Sequence, residues 1–137
     1  HPCMSAARRI ADAERILEEI RSAKKDATSQ IMEFLKAIQE SYTDLLEEYN
    51  KKFDCKIDRV GLDKFKAKAK KTGNVNAISF LMWYEREYRR IRNDSELGRL
   101  LERDLAEIDL STGKIIDLCS LLLENTRRIV YHAYENF

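Results

Sequence analysis

The sequence predicts an all-α protein: a long N-terminal, coiled-coil-like helix with a bundle of three to four shorter helices on its second half, in one domain over residues 1–137. Three observations predict this. Residues 6–45 contain no glycine or proline, and steps of four and three from Ala6 pass through Ile10, Ala13, Leu17, Ile20, Lys24, Ala27, Ile31, Phe34, Ile38, Ser41 and Leu45. Only Lys24 and Ser41 are polar in that series, so a helix here carries one long apolar seam. Four glycines and one proline in the chain are too few for the turns of a sandwich or barrel. A charged fraction of 36% beside 44% hydrophobic residues suits long helices with wetted outer faces.

The first element is expected over 5–50, with Ser5 as a plausible N-cap. No capping box accompanies it, because Arg8 stands where Glu or Gln is needed. Opposite charges four residues apart support it: Arg8 with Asp12, Arg15 with Glu19, Glu47 with Lys51. Polar residues dilute the seam over 22–30, where Asp26 or Ser29 could cap a second helix and make a hairpin. One continuous helix is the expectation, since no Gly or Pro interrupts it and the seam keeps phase. Such a rod runs about 70 Å, too long for a domain this small to cover, so its end would be buried by self-association.

Residues 50–61 read as a connection, and 62–71 as a short basic helix with Asp63 near its positive end. Thr72-Gly73-Asn74 ends that helix. Asn74 or Asn76 can cap a helix to about Arg92 carrying Phe80, Trp83, Tyr84 and Tyr88, whose helical spacing marks packing residues. Ser95 can cap another to about Ile108. A last helix is expected from Ser111 or Thr112 to Tyr134, with Ile115, Cys119, Leu122, Ile129 and Val130 inward.

A net charge of +1 creates no global field that singles out nucleic acid or membrane. No apolar run approaches the ~18 residues of a membrane span, and charged sequence after Met4 is unlike a signal peptide. The three cysteines form no CxxC and cannot all pair within one chain, so reduced thiols and a cytoplasmic location are expected. Two histidines without an HExxH or ExxH pair point to no metal site, and the absence of a Walker loop and of GxGxxG points to no nucleotide cofactor.

Three readings of function follow from the residues. The first is a non-enzymatic assembly or adaptor protein, a homo-oligomer such as a dimer or a binder of a partner helix. It would use Ile10, Ala13, Leu17 and Ile20 as its interface. A second rests on residues 51–71, where nine basic residues stand against three aspartates, a net of +6. Lys64, Lys66, Lys68, Lys70 and Lys71 could draw the phosphates of RNA or DNA. The competing account is a solvated face whose lysine stems cover Phe65. Phe53 and Phe65 are the only aromatics there, so no stacking platform is expected.

The third reading comes from Arg127-Arg128-Ile129-Val130-Tyr131-His132-Ala133-Tyr134. Arg127, four residues, His132, one residue, Tyr134 resembles the RxxxxHxY signature of HEPN-domain proteins of the HepT kind. These are small helical bundles, many of them metal-independent ribonucleases in which arginines and histidines meet across a dimer interface. The resemblance implies Arg127 on the scissile phosphate, His132 in acid–base or positioning work, and Tyr134 flanking the site. It covers eight residues, and Arg128 stands where the family usually has a small polar residue. The plain alternative is that Arg127 and Arg128 complement the negative end of a helix dipole.

Overall fold

A computed structural model describes residues 4–23, 26–57 and 62–136. It is all-helical, with six helices and no strand among the described residues: α1 (Ser5–Ser22), α2 (Thr28–Phe53), α3 (Leu62–Thr72), α4 (Val75–Asn93), α5 (Leu97–Leu101) and α6 (Thr112–Glu135). No helix among the described residues is long and apolar enough to cross a membrane.

The expected rod over 5–50 is corrected: it is two helices. α1 ends at Ser22, Ala23 is extended, and α2 begins at Thr28. The break falls where polar residues thin the seam. Asp26 Oδ1 accepts from the backbone N–H of Thr28 at 3.0 Å and from its hydroxyl at 2.5 Å, holding the entry to α2. Lys24 and Lys25 lie outside the described residues. α1 and α2 are antiparallel: Arg9 reaches Glu40 at 2.8 Å and Asp44 at 3.0 Å, and the N–H groups of Ser5 and Ala6 donate to Glu48. Ser5 is therefore the first helical residue and not the cap. The free donors of that helix end are met by a carboxylate from the neighbouring helix, which also suits the dipole.

Ile10, Ala13, Leu17 and Ile20, expected to face a second chain, are buried inside this molecule. They pack against α2 and α6. α6 meets α1 at Ala7 with Tyr134, Glu14 with Arg127, and Arg21 with Ser120. Contacts that recur every seven residues on both helices are those of an antiparallel coiled-coil-like pair at a low crossing angle. The seam behaves as its period predicts, but its partners belong to its own chain. Ser41, polar within the seam, is fully buried and donates to the Ile38 carbonyl at 2.6 Å.

α4 joins this three-helix layer through aromatic side chains. Tyr49 of α2 stacks on Phe80 (centroids 4.6 Å apart, 15° between planes), and Tyr42 meets Tyr88 edge-on at 5.0 Å. Phe80 and Tyr84 are buried, while Trp83 and Tyr88 are half-buried. Asn74 caps α4 by accepting from Ala77 N–H at 3.2 Å. Gly73, at φ +70°, ends α3.

The helix expected over 95–108 is also corrected, since α5 has only five residues. Asp94, not Ser95, supplies its side-chain acceptor, for Glu96 and Leu97 N–H. Arg103 at φ +57° then turns the chain away. Gly98 lets α5 lie against the end of α4, where a Cβ would stand 2.2 Å from the Arg92 carbonyl oxygen.

Candidate functional site

α6 carries the arginine–histidine stretch on a long, well-packed helix. Ile129, Val130 and Ala133 face the core, which leaves Arg127, Arg128, Tyr131 and His132 outward. Arg127 pairs with Glu14 of α1 at 2.9 Å and lies over the Tyr131 ring at 5.5 Å. Arg128 leans the other way, to Glu87 of α4 at 3.3 Å. Glu87 is itself buried, and Arg90 reaches it at 3.4 Å. His132 packs on Trp83 (ring centroids 4.3 Å apart), and Asn136 Nδ2 lies 3.3 Å from its Nε2.

Within one molecule, then, Arg127 and His132 lean to opposite flanks of α6, as the roughly 140° between positions five apart requires. Tyr134 does not share their face. It turns inward, where its oxygen accepts from the Ala7 N–H at 3.3 Å, and burial followed by hydrogen bonding to Glu48 raises its pKa. Its work is structural: it ties α6 to the start of α1.

The five lysines of the basic segment separate by helical phase. Lys66 is tied to Glu85 of α4 at 2.6 Å and to Asp63 at 3.6 Å, and the hydrogen bond to Glu85 chiefly raises its pKa. It docks α3 on α4. Lys64 and Lys68, one turn apart, line a cavity of about 620 Å³ between α3 and the end of α2, with Phe53, Lys56, Phe65 and Asn74. Lys70 and Lys71 are exposed and do not line it. Arg59 lies outside the described residues.

One wall of this cavity, the turn at 54–56, is held in place by Asn50. Its Oδ1 accepts from Ile57 N–H at 2.8 Å and its Nδ2 donates to the Ile57 carbonyl at 2.7 Å. The chain after α2, which leaves through Asp54 at φ 48°, is thereby folded back on the helix. Sequence reading missed Asn50, because a side chain that brackets a residue seven positions later has no periodic mark. It also missed a second cavity of about 510 Å³ between α2 and α4, lined by Tyr42, Tyr84 and Tyr88 among others.

Among the described residues no group of three or more His, Cys, Asp or Glu side chains is placed to hold a metal ion. No protein-family model, curated protein or solved structure matches the chain.

Proposed function

We propose that the protein is a metal-independent, HEPN-like ribonuclease that works as a pair of copies. The observation that carries the reading is the common exposure of Arg127 and His132 on α6, in a small all-helical bundle whose last long helix bears the RxxxxHxY stretch. Because the two side chains diverge within one copy, a single molecule does not offer both to one phosphate. A second α6 set against the first across a two-fold axis would bring Arg127 of one copy toward His132 of the other. The guanidinium then balances the charge that builds on the phosphate oxygens. The imidazole takes the proton of the 2′-hydroxyl as its oxygen bonds to phosphorus, and passes it to the 5′ oxygen as that bond breaks.

The test is incubation with single-stranded RNA in EDTA. Cleavage is expected, and His132→Ala should abolish it while the circular dichroism spectrum is unchanged. Mixing Arg127→Ala with His132→Ala should restore part of the activity, since one composite site in each mixed pair is intact. Cleavage by His132→Ala at the rate of the unaltered protein would overturn the reading.

The assembly or adaptor reading moves from α1, whose seam is occupied, to the outer faces of α4 and α6. The observation favouring it is the exposure there of Met82 (56%), Leu121 (45%) and Tyr131 (40%). It predicts a doubled mass by light scattering, with no RNA cleavage, and a monomer after Met82→Glu plus Leu121→Glu.

A further inference from the structure

Beside His132 lies an arginine cluster that the ribonuclease reading leaves unused. Its centre is Glu87 of α4, a carboxylate whose side chain is only 8% exposed, in the seam between α4 and α6. Three guanidiniums reach it: Arg128 of α6 at 3.3 Å, Arg90 at 3.4 Å and Arg86 at 4.0 Å. One such partner would compensate a buried carboxylate. Here there are three, and among the described residues none of them pairs with a second carboxylate. The cluster therefore keeps a surplus of positive charge, and it holds far more N–H donors than one carboxylate can accept. Arg86 and Arg90 are about two-thirds exposed, so those donors are open to solvent.

The cluster is aligned with His132. Arg128 and His132 stand four residues apart on α6, as Glu87 and Trp83 do on α4, and Trp83 packs on His132. Residues so spaced share a helix face and lie about 6 Å apart along its axis. His132 and the arginines thus follow one another down the α4 side of α6, whereas Arg127 turns to α1.

We propose that Arg86, Arg90 and Arg128, held by Glu87, bind the phosphate of single-stranded RNA that neighbours the one at His132. The identity of the ligand rests on the ribonuclease reading. A planar guanidinium matches two phosphate oxygens at once, and the surplus charge releases counterions from the strand. The step from His132 to the cluster is comparable with that between neighbouring phosphates of one strand. Glu87 restrains the guanidiniums before the strand arrives, which lowers the cost of ordering them. A phosphopeptide would engage the arginines but has nothing to set at His132.

Binding is read by fluorescence anisotropy with a fluorescein-labelled 2′-O-methyl oligouridylate, which has no free 2′-hydroxyl and is not cut by the chemistry proposed above. Saturable binding is expected. Arg86→Gln plus Arg90→Gln removes the surplus charge and leaves Arg128 on Glu87, so the buried carboxylate stays paired; a thermal melt checks that the variant is folded. It should weaken binding at least tenfold. The slope of the logarithm of affinity against the logarithm of salt should become shallower by about 0.7, the share of one phosphate contact on a single strand. Lys70→Gln plus Lys71→Gln, the same change of net charge on α3, should weaken binding less than threefold. With unmodified RNA, the arginine pair should lower kcat/KM mainly by raising KM.

The proposal is overturned by no binding, by equal loss in the arginine and lysine pairs, or by a phosphoserine peptide of equal charge competing as well as the oligouridylate. Arginine-dependent binding in a protein that cuts no RNA would sustain the site and sink the ribonuclease reading. Cleavage with binding indifferent to the arginines would do the reverse.

Discussion

Truncation of Leu17 distinguishes a seam that folds the molecule from one that joins two molecules. Leu17 is 4% exposed, on the α1 face covered by α2 and α6. Leu17→Ala removes three carbons, about 2.4 kcal/mol at ~0.8 kcal/mol per buried methylene. The core is bounded by three helices that cannot close on the gap, so a cavity contribution brings the expected loss to about 3–4 kcal/mol. At this chain length that lowers Tm by roughly 10–15 °C. The assay is urea unfolding at two protein concentrations a hundredfold apart, with light scattering on the folded protein. The loss should be the same at both concentrations, and the mass of the folded protein should not change, whatever that mass is. An interface residue would behave differently, because a hundredfold dilution alone changes the stability of a dimer by about 2.7 kcal/mol. A loss below about 1 kcal/mol, together with a halved mass, would refute the assignment of this seam to the molecule's own core.

Other outcomes follow from single groups. Asn50→Ala removes both hydrogen bonds to Ile57 and should cost about 1–3 kcal/mol; hydrogen exchange at the Cys55 and Ile57 amides should speed up well before that of the core. Cys119 is fully buried, and burial pushes its thiol up from 9.0 to about 12. It should resist iodoacetamide at pH 8 until the protein unfolds, and its share of stability, present below pH 9, should be lost as the pH rises toward 12. Asp26 and Asp109 have lowered pKa values, Asp26 first through the Thr28 hydroxyl and Asp109 first through the Ser111 N–H. The ionised form is the one held, so their contribution is present above pH 3.8 and fades as the pH falls through the lowered value. Asp26→Asn plus Asp109→Asn, which keeps the acceptors and removes the charges, should flatten the acid limb of a stability-versus-pH curve measured by urea titration.

The sequence by itself determined that the chain is helical and where α3, α4 and α6 lie. Helix-forming stretches, the Asn74 cap and the glycine at the end of α3 act within a few residues of themselves, so they can be read without the fold. The five lysines from 64 to 71 read alike along the sequence, but a two-residue step on a helix turns about 200°, and the fold ties Lys66 to Glu85 of α4, apart from Lys64 and Lys68. Only the tertiary structure decided what each face meets. An apolar seam has the same period whether it lies against another chain or against α2 and α6, so Leu17 could not say whose surface it covers. Glu48, forty-odd residues from the helix start it caps, leaves no local mark. The same holds for the lysine-lined cavity, whose walls come from α3, the end of α2 and the turn after it and become neighbours only when the chain turns back on itself.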